Sequence, residues 1–407
     1  MKLASSEGWT VVPAGAATWL NAGNPLTSVN LVVSTGRLNR IIEHEPADLV
    51  TMTEAGVSLK NLNDKLALNG QWLPLDPPDD GSATVGGVVA TGLGGAQQSG
   101  YGAPRRHVIG MKIVLADGSL IKVGGRVVKN VAGYDLCKLF TGSYGTLGII
   151  VEVNFKLRPL PFETRTILAW GARNKLLEGA RSVNDSRLFP VAVELLSPAL
   201  AAKVEKSQAS GHLLLLRFAG SLAGVSQQAK SAFELIGGNQ SETGRVESDD
   251  ATMWRSIAGL PLRFSRDMVW RVGLRPGDIG TFLEILDQTN SDTGSQSMWH
   301  AGLADGRVRV VDLRRQGENN SGGIDSVNKG SINQTIKRIK RLRARAQSLG
   351  SSLIIENAPG DVNTRLDSWG DFGSAARLMQ RVKKQLDPMG VFSPGRFGFN
   401  DLREDPP

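Results

Sequence analysis

The chain has 407 residues, of which 41% are hydrophobic, and a formal net charge of +8 at pH 7. This length suffices for two domains, and the lack of any apolar run of about twenty residues excludes a membrane-spanning helix. Cys137 is the only cysteine, so the chain can form neither an internal disulfide nor an iron–sulfur cluster, which takes about four cysteine ligands. We expect a cytoplasmic globular protein with no nucleic-acid partner and at most peripheral contact with the inner face of a membrane.

The most unusual local composition is that of residues 81–102, GSATVGGVVATGLGGAQQSGYG, where eight of twenty-two positions are glycine. These glycines alternate with valines rather than with serines and charges, which is unlike a flexible linker. Glycine lets the backbone approach a ligand closely or adopt positive φ. We therefore predict a turn that lines a ligand and leads into a short buried helix.

Two familiar nucleotide-binding motifs do not fit this segment. A P-loop needs a lysine at the end of its turn, and no lysine occurs between Lys65 and Lys112. The stretch 92–97 begins like a dinucleotide fingerprint but ends in Gln97, and the next acidic residue, Asp117, lies at the start of a turn. Phosphate binding of the ATP type and a Rossmann fold are both disfavoured.

Three motifs around this point together resemble a known family. The run 113–135 has an Asp-Gly turn at 117–118 between two β-rich stretches, which predicts a hairpin. The motifs ATVGG (83–87), GRVVKNVAGYDL (125–136) and GSYGTLGII (142–150) resemble the FAD-binding proteins of the vanillyl-alcohol oxidase, or PCMH, type. Within that family the chain resembles the FAD-binding E subunits of glycolate oxidase, also called glycolate dehydrogenase, from about residue 5 to about residue 400 with a weak middle.

The resemblance implies an α+β protein. A PCMH-type FAD-binding domain of two α/β subdomains would occupy 1–161, an α+β cap domain with an antiparallel sheet would occupy 162–383, and 384–407 would return to the FAD domain. Relatives carry a further strand and most of a helix before MKLASSEGWTVVPAG, so we expect about one βα unit to be missing and an apolar sheet edge to be uncovered. A misplaced start codon or a natural truncation would explain this; alternatively, the protein never had the unit.

The resemblance also implies non-covalent FAD. The turn VPAGAAT (12–18) would hold the pyrophosphate, although relatives have three glycines where this chain keeps only Gly15, which predicts weaker binding or a displaced turn. No histidine or cysteine lies in the glycine-rich segment before Tyr101, and His107 is the one candidate for a covalent tether. The alternative role of these glycines is tight packing of a hairpin on a helix. The residues implied to contact FAD are Gly15, Ala16, Ala17, Thr18, Ser82, Thr84, Val85, Gly86, Gly87, Gly92, Gly95, Tyr101, Gly102, Gly148 and Ile150.

The middle of the chain predicts an antiparallel α+β domain. Strand-like runs at 212–220, 268–276 and 307–315 alternate with helix-like stretches around 196–206, 222–237 and 278–289. The polar run 317–332 predicts a long flexible surface loop.

A dense basic run follows, with Lys337, Arg338, Lys340, Arg341, Arg343 and Arg345. Apolar residues at 336, 339, 342 and 346 interleave with these charges at helical spacing. We predict the solvated face of an amphipathic helix, with membrane or partner docking as the alternative.

Catalytic residues remain unassigned in the sequence. Relatives that oxidise 2-hydroxy acids hold a divalent metal with a His-Ala-Gly-x-Gly-x-x-His segment and a Glu-His pair, but here Arg307 stands at the second histidine and Glu356 is followed by Asn357. We therefore predict no metal site. His300 is a candidate base, and Arg307 or Arg271 is a candidate carboxylate ligand; the alternative is a hydrogen-bonded histidine at a strand end with surface arginines.

The missing metal ligands favour an accessory function. The chain would be the FAD-binding subunit of a glycolate oxidase complex, beside a catalytic FAD subunit and an iron–sulfur subunit that together handle a small hydroxy acid. One alternative is a self-sufficient FAD-dependent oxidoreductase of 2-hydroxy acids or other alcohols, with His300 as the base. Another is a flavin-free structural subunit.

Overall fold

A computed structural model describes residues 1–125, 134–205, 211–237, 244–247, 250–264, 267–313 and 329–398. The chain divides into two units, the first formed by Met1–Gly95, Tyr101–Leu160 and Phe372–Pro407 and the second by Ala96–Gly100 and Pro161–Asp371. The return to the first unit begins at Phe372 rather than at the predicted 384, because Val382 and Leu386 pack against the core of the first unit.

Strands and helices are interspersed along the whole described chain. The strands are β1 (Val11–Ala14), β2 (Leu31–Ser34), β3 (Ile41–Glu45), β4 (Val50–Glu54), β5 (Gln71–Trp72), β6 (Val108–Val114), β7 (Leu120–Gly124), β8 (Ile149–Lys156), β9 (Arg158–Pro159), β10 (Glu163–Gly171), β11 (Ala192–Leu196), β12 (His212–Gly220), β13 (Gly244–Glu247), β14 (Met268–Gly273), β15 (Gln296–Gly302), β16 (Arg307–Leu313) and β17 (Leu353–Asn357). The α-helices are α1 (Lys2–Ser6), α2 (Leu59–Ala67), α3 (Val85–Thr91), α4 (Gln98–Tyr101), α5 (Leu136–Phe140), α6 (Arg173–Asn184), α7 (Pro198–Val204), α8 (Leu222–Leu235), α9 (Ala251–Ala258), α10 (Leu260–Arg263), α11 (Ile279–Thr293), α12 (Lys329–Ser348), α13 (Gly360–Asn363) and α14 (Ala375–Leu386). Short 3-10 turns span Pro46–Asp48, Pro104–Arg106 and Pro276–Asp278.

The first unit is built on a five-stranded antiparallel sheet in the order β3-β4-β8-β6-β7. Strands β6 and β7 form the hairpin predicted around the Asp-Gly turn at 117–118. Ile113, Val153 and Phe155 are fully buried in the sheet and share a core with Leu62 of α2 and Val89 of α3. The short buried helix predicted after the glycine-rich turn is α3. Part of the 125–136 motif, residues 126–133, lies outside the described residues.

The first unit also contains a two-stranded parallel sheet of β1 and β2 and a short antiparallel pair of β5 and β9. The Val11 N–H donates to the Val391 carbonyl over 2.7 Å, and the Ser393 N–H donates back to Val11 over 3.0 Å, so the C-terminal segment runs alongside β1. On the other side, β2 is an edge strand whose Val32 is 59% exposed.

The second unit contains an eight-stranded antiparallel sheet in the order β13-β10-β12-β11-β15-β16-β14-β17. Strand β12 spans the whole predicted run, and β14 ends three residues before its predicted end. Strand β16 begins at the predicted residue, and residues 314 and 315 of that run lie outside the described residues. One face of the sheet packs against α6, α8, α11 and α12, and part of the other packs against α7 and α9. The predicted antiparallel α+β arrangement is confirmed.

Helix α12 carries the dense basic run. Its apolar positions at 336, 339, 342 and 346 are buried, as the helical spacing predicted. Arg338, however, is also buried, and its guanidinium bonds to Asp312 and to Asn290, so the prediction that all six basic residues are solvated is wrong for this one. Most of the predicted loop 317–332 lies outside the described residues, and its last four residues begin α12.

Candidate functional site

The first unit contains a cavity of about 90 Å³. Three segments surround it: the turn after β1, the glycine-rich segment that forms α3, and the turn that leads into β8. The lining residues are 12–20, Thr35, Pro77, Pro78, Ala83, Thr84, 86–88, Ala90, Thr91, Leu93, Tyr144, Gly145, 148–150 and Arg396.

Glycines let two of these segments approach each other without side chains between them. A β-carbon added at Gly15 would lie 2.1 Å from the Oγ1 of Thr84, and one added at Gly86 would lie 2.6 Å from the β-carbon of Ala55. Thr84 also begins α3, where its Oγ1 accepts the N–H of Gly87 over 3.2 Å. Five of the lining residues are glycines, Gly15, Gly86, Gly87, Gly145 and Gly148, and backbone without a β-carbon suits a flat or phosphate-bearing group that approaches closely.

The turn after β1 adopts a strained conformation. Ala17 has φ +62°, in the left-handed region where a β-carbon costs about 1–2 kcal/mol. Ala16 and Ala17 are both exposed and both line the cavity. The chain thus keeps a left-handed residue in the turn even though glycine, which would adopt it without strain, is absent.

The charge on the described lining of the cavity is positive. Among the described residues that line it there is no carboxylate, and Arg396 is the one charged side chain. Arg396 is buried, and its Nη1 donates to the Leu20 carbonyl over 2.7 Å and to the Ala22 carbonyl. Burial lowers the pKa of Arg396, but a guanidinium stays protonated in proteins. The cavity therefore favours an anionic ligand.

A second polar feature lies within the second unit, and we call it the buried ion network: Glu194, His300, Arg307, Arg309 and Glu356. The Nδ1 of His300 lies 2.8 Å from Glu194 Oε2, and Arg307 Nη2 bonds to the other oxygen of that carboxylate. Arg309 binds Glu356 in a bidentate pair of 2.7 and 3.0 Å.

Strand geometry places this network on one face of the sheet. Trp299 and Ala301 flank His300 and belong to the core under the helices, so His300 points to the opposite face. His300 is 2% exposed and Arg307 is 6% exposed, so the expectation of surface arginines is wrong at 307. Arg271, the other candidate carboxylate ligand, already forms an ion pair with Glu356 at 3.0 Å.

Burial and the charges within the buried ion network shift the pKa values of Glu194 and His300. Burial would raise the pKa of Glu194, but Arg307 and His300 outweigh it and hold that pKa below its usual value. Burial lowers the pKa of His300 against the opposing effect of Glu194. A neutral His300 then donates its Nδ1–H to Glu194, which leaves Nε2 as a bare acceptor, and no described residue hydrogen-bonds to that atom.

Comparisons with known proteins identify the family to which this chain belongs. Residues 1–124 match the family described as FAD binding domain. The chain is 30% identical over 402 residues to the glycolate oxidase subunit GlcE of Escherichia coli, covering 97% of this chain and 94% of that protein. It is 27% identical to a D-lactate dehydrogenase of Archaeoglobus fulgidus, over 97% of this chain and 87% of that one. The chain belongs to the FAD-linked oxidase family that includes these subunits.

The fold agrees with that family. The solved structure of p-cresol methylhydroxylase with substrate bound superposes with a TM-score of 0.75 at 16% identity, covering 99% of this chain and 87% of that one. The likeness confirms the predicted PCMH-type fold. This FAD-linked oxidase is an FAD-dependent oxidoreductase, as predicted, and the flavin-free alternative is set aside.

The fit of FAD to the cavity can be judged from its walls. The close contact of Gly15 with Thr84 leaves bare backbone, and the lining has one buried cation and no carboxylate among its described members. Both properties suit a pyrophosphate. Nine of the fifteen residues implied by the sequence line the cavity: Gly15, Ala16, Ala17, Thr18, Thr84, Gly86, Gly87, Gly148 and Ile150.

The other six, Ser82, Val85, Gly92, Gly95, Tyr101 and Gly102, do not line this cavity. Packing explains several of them: Val85 is buried in the core, Gly92 ends α3 with φ +64°, and a β-carbon at Gly95 would lie 1.9 Å from the Asp76 carbonyl oxygen. The ring of Tyr101 packs edge-on against Trp72 with centroids 5.3 Å apart. Contact of these six residues with FAD stays a prediction.

Several lining residues were not among the fifteen predicted ones, and Trp19 and Arg396 are two of them. Trp19 donates its Nε1–H to the Pro78 carbonyl over 2.9 Å, and Arg396 reaches the cavity from the C-terminal segment that was predicted to return to the FAD domain. His107, the candidate tether, is fully buried and does not line the cavity; its Nε2 lies 3.0 Å from the Tyr101 carbonyl oxygen.

Among the residues that the structure describes, no group of three or more His, Cys, Asp or Glu side chains has the arrangement that a metal ion needs. The carboxylates near His300 are instead engaged by arginines. In the described part of this oxidase, no helix is both long and apolar enough to cross a membrane.

Proposed function

We propose that this FAD-linked oxidase is the FAD-carrying subunit of a complex that oxidises glycolate to glyoxylate and that electrons pass through its flavin to partner subunits. The proposal adopts the substrate named for the Escherichia coli relative, which is called a subunit of glycolate oxidase. The partners would be a catalytic FAD subunit and an iron–sulfur subunit, since this chain's single cysteine cannot hold a cluster. A cytoplasmic location, with at most peripheral membrane contact, is part of the proposal.

The observation that carries this proposal is the pairing of both network carboxylates with arginines. Glu194 faces Arg307, and Glu356 faces Arg309 and Arg271. A carboxylate neutralised by a guanidinium is a poor ligand for a divalent cation, because the cation would have to displace a charged hydrogen-bond partner. Activation of the substrate hydroxyl by a metal therefore belongs in a partner subunit.

We assign the pyrophosphate of FAD, the part that a space of about 90 Å³ suits, to the cavity of the first unit. The nine cavity residues named above would hold the cofactor through backbone contacts, with Arg396 near its negative charge. FAD supplies a two-electron acceptor when bound. Because His107 is buried away from the cavity and Cys137 is buried in the core, we propose that the cofactor is held without a covalent bond.

An anaerobic titration tests the function. The purified chain, saturated with FAD, is mixed with glycolate without oxygen while the visible flavin band is followed. We expect the band to persist with this chain alone and to bleach when its partner chains are added. Rapid bleaching of the isolated chain would show that it oxidises substrate by itself.

One observation favours that alternative function. Glu194 orients His300 at Nδ1, and burial lowers the pKa of His300 against the opposing effect of Glu194, so Nε2 is the acceptor that a general base needs to remove a hydroxyl proton. If the isolated chain bleaches, the variant His300→Gln should lose the reaction by a factor of about 100 or more, the usual range for a general base. An unchanged rate in that variant would remove His300 from the chemistry.

A further inference from the structure

A second cavity in the first unit has a volume of about 660 Å³. Its walls are α14, the end of α5 with the turn after it, and the segment 387–397. Among the described residues, Arg396 is the one that lines both this cavity and the cavity assigned to FAD. Ligand sites in proteins typically measure about 300–1,000 Å³ and are mostly apolar with a few polar groups, so the size is that of a small-molecule site.

The accessible lining of this second cavity is mainly apolar. Leu139 and Leu147 line it together with Leu378, Met379 and Val382 of α14. Leu378 is 63% exposed, so the cavity is open to solvent at this residue and a ligand can enter there. The lining therefore favours a molecule with a mainly apolar body.

The charged side chains within the lining already have protein partners. Lys383 bonds to Asp387 and donates to two backbone carbonyls over 2.7 and 2.8 Å. Asp387 also accepts two backbone N–H groups, each over 2.8 Å, and Arg396 donates to two further carbonyls. The other charged lining residues, Arg381 and Lys384, are exposed. A charged ligand would compete with these partners, whereas an uncharged ligand leaves them in place.

The polar part of the lining includes three buried hydrogen-bonding atoms, Ser143 Oγ, Gln380 Nε2 and Ser393 Oγ. Within the described part of the chain, no residue hydrogen-bonds to any of them. They lie on three different walls: Ser143 in the turn after α5, Gln380 on α14 and Ser393 in the segment 387–397. Buried polar groups are normally satisfied by protein, water or ligand. These atoms therefore indicate where a ligand of this cavity forms its hydrogen bonds.

The chemistry of these three atoms selects the polar group of the ligand. An amide nitrogen can only donate a hydrogen bond, and a serine hydroxyl can donate as well as accept. A carbonyl oxygen has two lone pairs, so it can accept from two such donors without carrying a charge. A ketone or a similar carbonyl compound thus matches both the polar atoms and the absence of available charge.

We propose that this cavity binds an uncharged, mainly apolar carbonyl compound, whose oxygen accepts hydrogen bonds from Gln380 Nε2 and a serine hydroxyl. Its apolar body lies along Leu378, Met379 and Val382 of α14. The inference goes beyond the proposed function, because this ligand takes part in no step of glycolate oxidation.

Equilibrium dialysis on the FAD-saturated full chain tests the site. The probe is propionyl-dimethylaminonaphthalene, an uncharged aromatic ketone, and the matched compound is dimethylaminonaphthalene, which lacks the ketone. Gln380→Leu should bind the ketone about fivefold more weakly, because one hydrogen bond is lost, and should bind the matched compound within about twofold of the parent. Gln385→Leu makes the same change on α14 at an exposed residue that does not line the cavity, and it should bind both compounds like the parent.

A space-filling variant, Met379→Trp, adds a second test. It should weaken binding of both compounds at least about fivefold, since the larger ring occupies part of the apolar lining.

Three results would overturn the proposal. The first is equal binding of the ketone in Gln380→Leu and Gln385→Leu, or undiminished binding in Met379→Trp. The second is an absence of measurable ketone binding to the parent. The third is release of FAD in step with ketone uptake, because the ketone would then occupy the FAD site. None of these outcomes depends on glycolate oxidation, so failure here is distinct from failure of the proposed function.

Discussion

Arg307 and Glu194 form an ion pair inside the second unit, and the same carboxylate holds His300 Nδ1 at 2.8 Å. Both partners of the pair are buried. Charges removed from water in this way are tolerated only when they are paired and hydrogen-bonded. The pair therefore fixes the orientation of His300 and excludes a metal ion from Glu194 at the same time.

Breaking this pair should cost much of the stability of the protein. Arg307→Met leaves Glu194 charged and buried without its main partner, so we expect a loss of about 3–5 kcal/mol in the free energy of unfolding. Denaturant titration measures this loss. The double variant Arg307→Met/Glu194→Gln should recover part of it, while Arg345→Met, at an exposed position of α12, should stay within about 0.5 kcal/mol of the parent. Similar losses in both single variants would show that the pair contributes nothing specific.

As the pH falls, protonation of His300 should lower the free energy of unfolding at a higher pH than protonation of the carboxylates does. Burial lowers the folded-state pKa of His300 from 6.5, so the unfolded chain binds the proton more readily. The free energy of unfolding then falls as pH drops from about 6.5 towards the lowered folded pKa. Glu194 and Glu356, whose pKa values are also lowered in the folded state, lose their contribution at still lower pH.

The variant His300→Gln checks this assignment. Stability measured against pH should show a shallower slope below about 6.5 in the variant, because one protonation difference is removed. His107 and His212 also have pKa values lowered by burial, so part of the slope should remain. An identical slope in parent and variant would mean that His300 takes up its proton equally in both states.

Cys137 should be inert in the folded protein. It is buried, and burial raises the pKa of its thiol to about 11. Since the thiolate is the reactive form, a disulfide reagent at mildly alkaline pH should label the chain only after unfolding. The matched measurement is the same labelling in denaturant. Fast labelling of the native protein would show that the core around α5 opens readily.

Local patterns predicted much of this fold, because the interactions that set it are local or repeat along the chain. The strand-like run of β12, the Asp-Gly hairpin and the buried stripe of α12 were all visible in the sequence. Arg338 was misplaced because its partners, Asp312 and Asn290, lie 26 and 48 residues away in the chain.

In the candidate site, too, features that depend on local sequence were predicted and contacts between distant residues were not. The glycine-rich signal predicted that backbone approaches something closely, but it could not separate Gly87, which lines the cavity, from Gly95, which packs against Asp76. Arg396 reaches a carbonyl 376 residues earlier in the chain, a relationship that no local motif encodes. The ion pair of Arg307 was equally hidden, because Glu194 lies on another strand 113 residues away.

The left-handed conformation of Ala17 leads to a stability prediction for which the neighbouring Ala16 serves as the control. Ala17→Gly should raise the free energy of unfolding by about 0.5–1 kcal/mol, because relief of the left-handed conformation outweighs the added freedom of glycine in the unfolded chain. Ala16 does not have positive φ, so Ala16→Gly should instead cost about 0.5–1 kcal/mol. Equal effects of the two changes would contradict the assigned turn conformation.

The contact of Gly15 with Thr84 gives the sharpest test of the flavin site. A β-carbon at residue 15 would lie 2.1 Å from Thr84 Oγ1 and 3.2 Å from its Cβ, so Gly15→Ala must push the turn away from α3. We expect FAD affinity to fall at least about tenfold, because preorganised backbone contacts are lost together.

The double variant Gly15→Ala/Thr84→Ala removes the clashing oxygen and should regain part of that affinity, although loss of the Thr84 cap costs about 1 kcal/mol of stability. In Gly277→Ala the added carbon meets no atom within 4 Å, so this variant serves as the control and should retain FAD like the parent. The measurement is the FAD content of each purified variant, read from the flavin absorption per protein. Full retention of FAD in Gly15→Ala would place the cofactor elsewhere in the first unit.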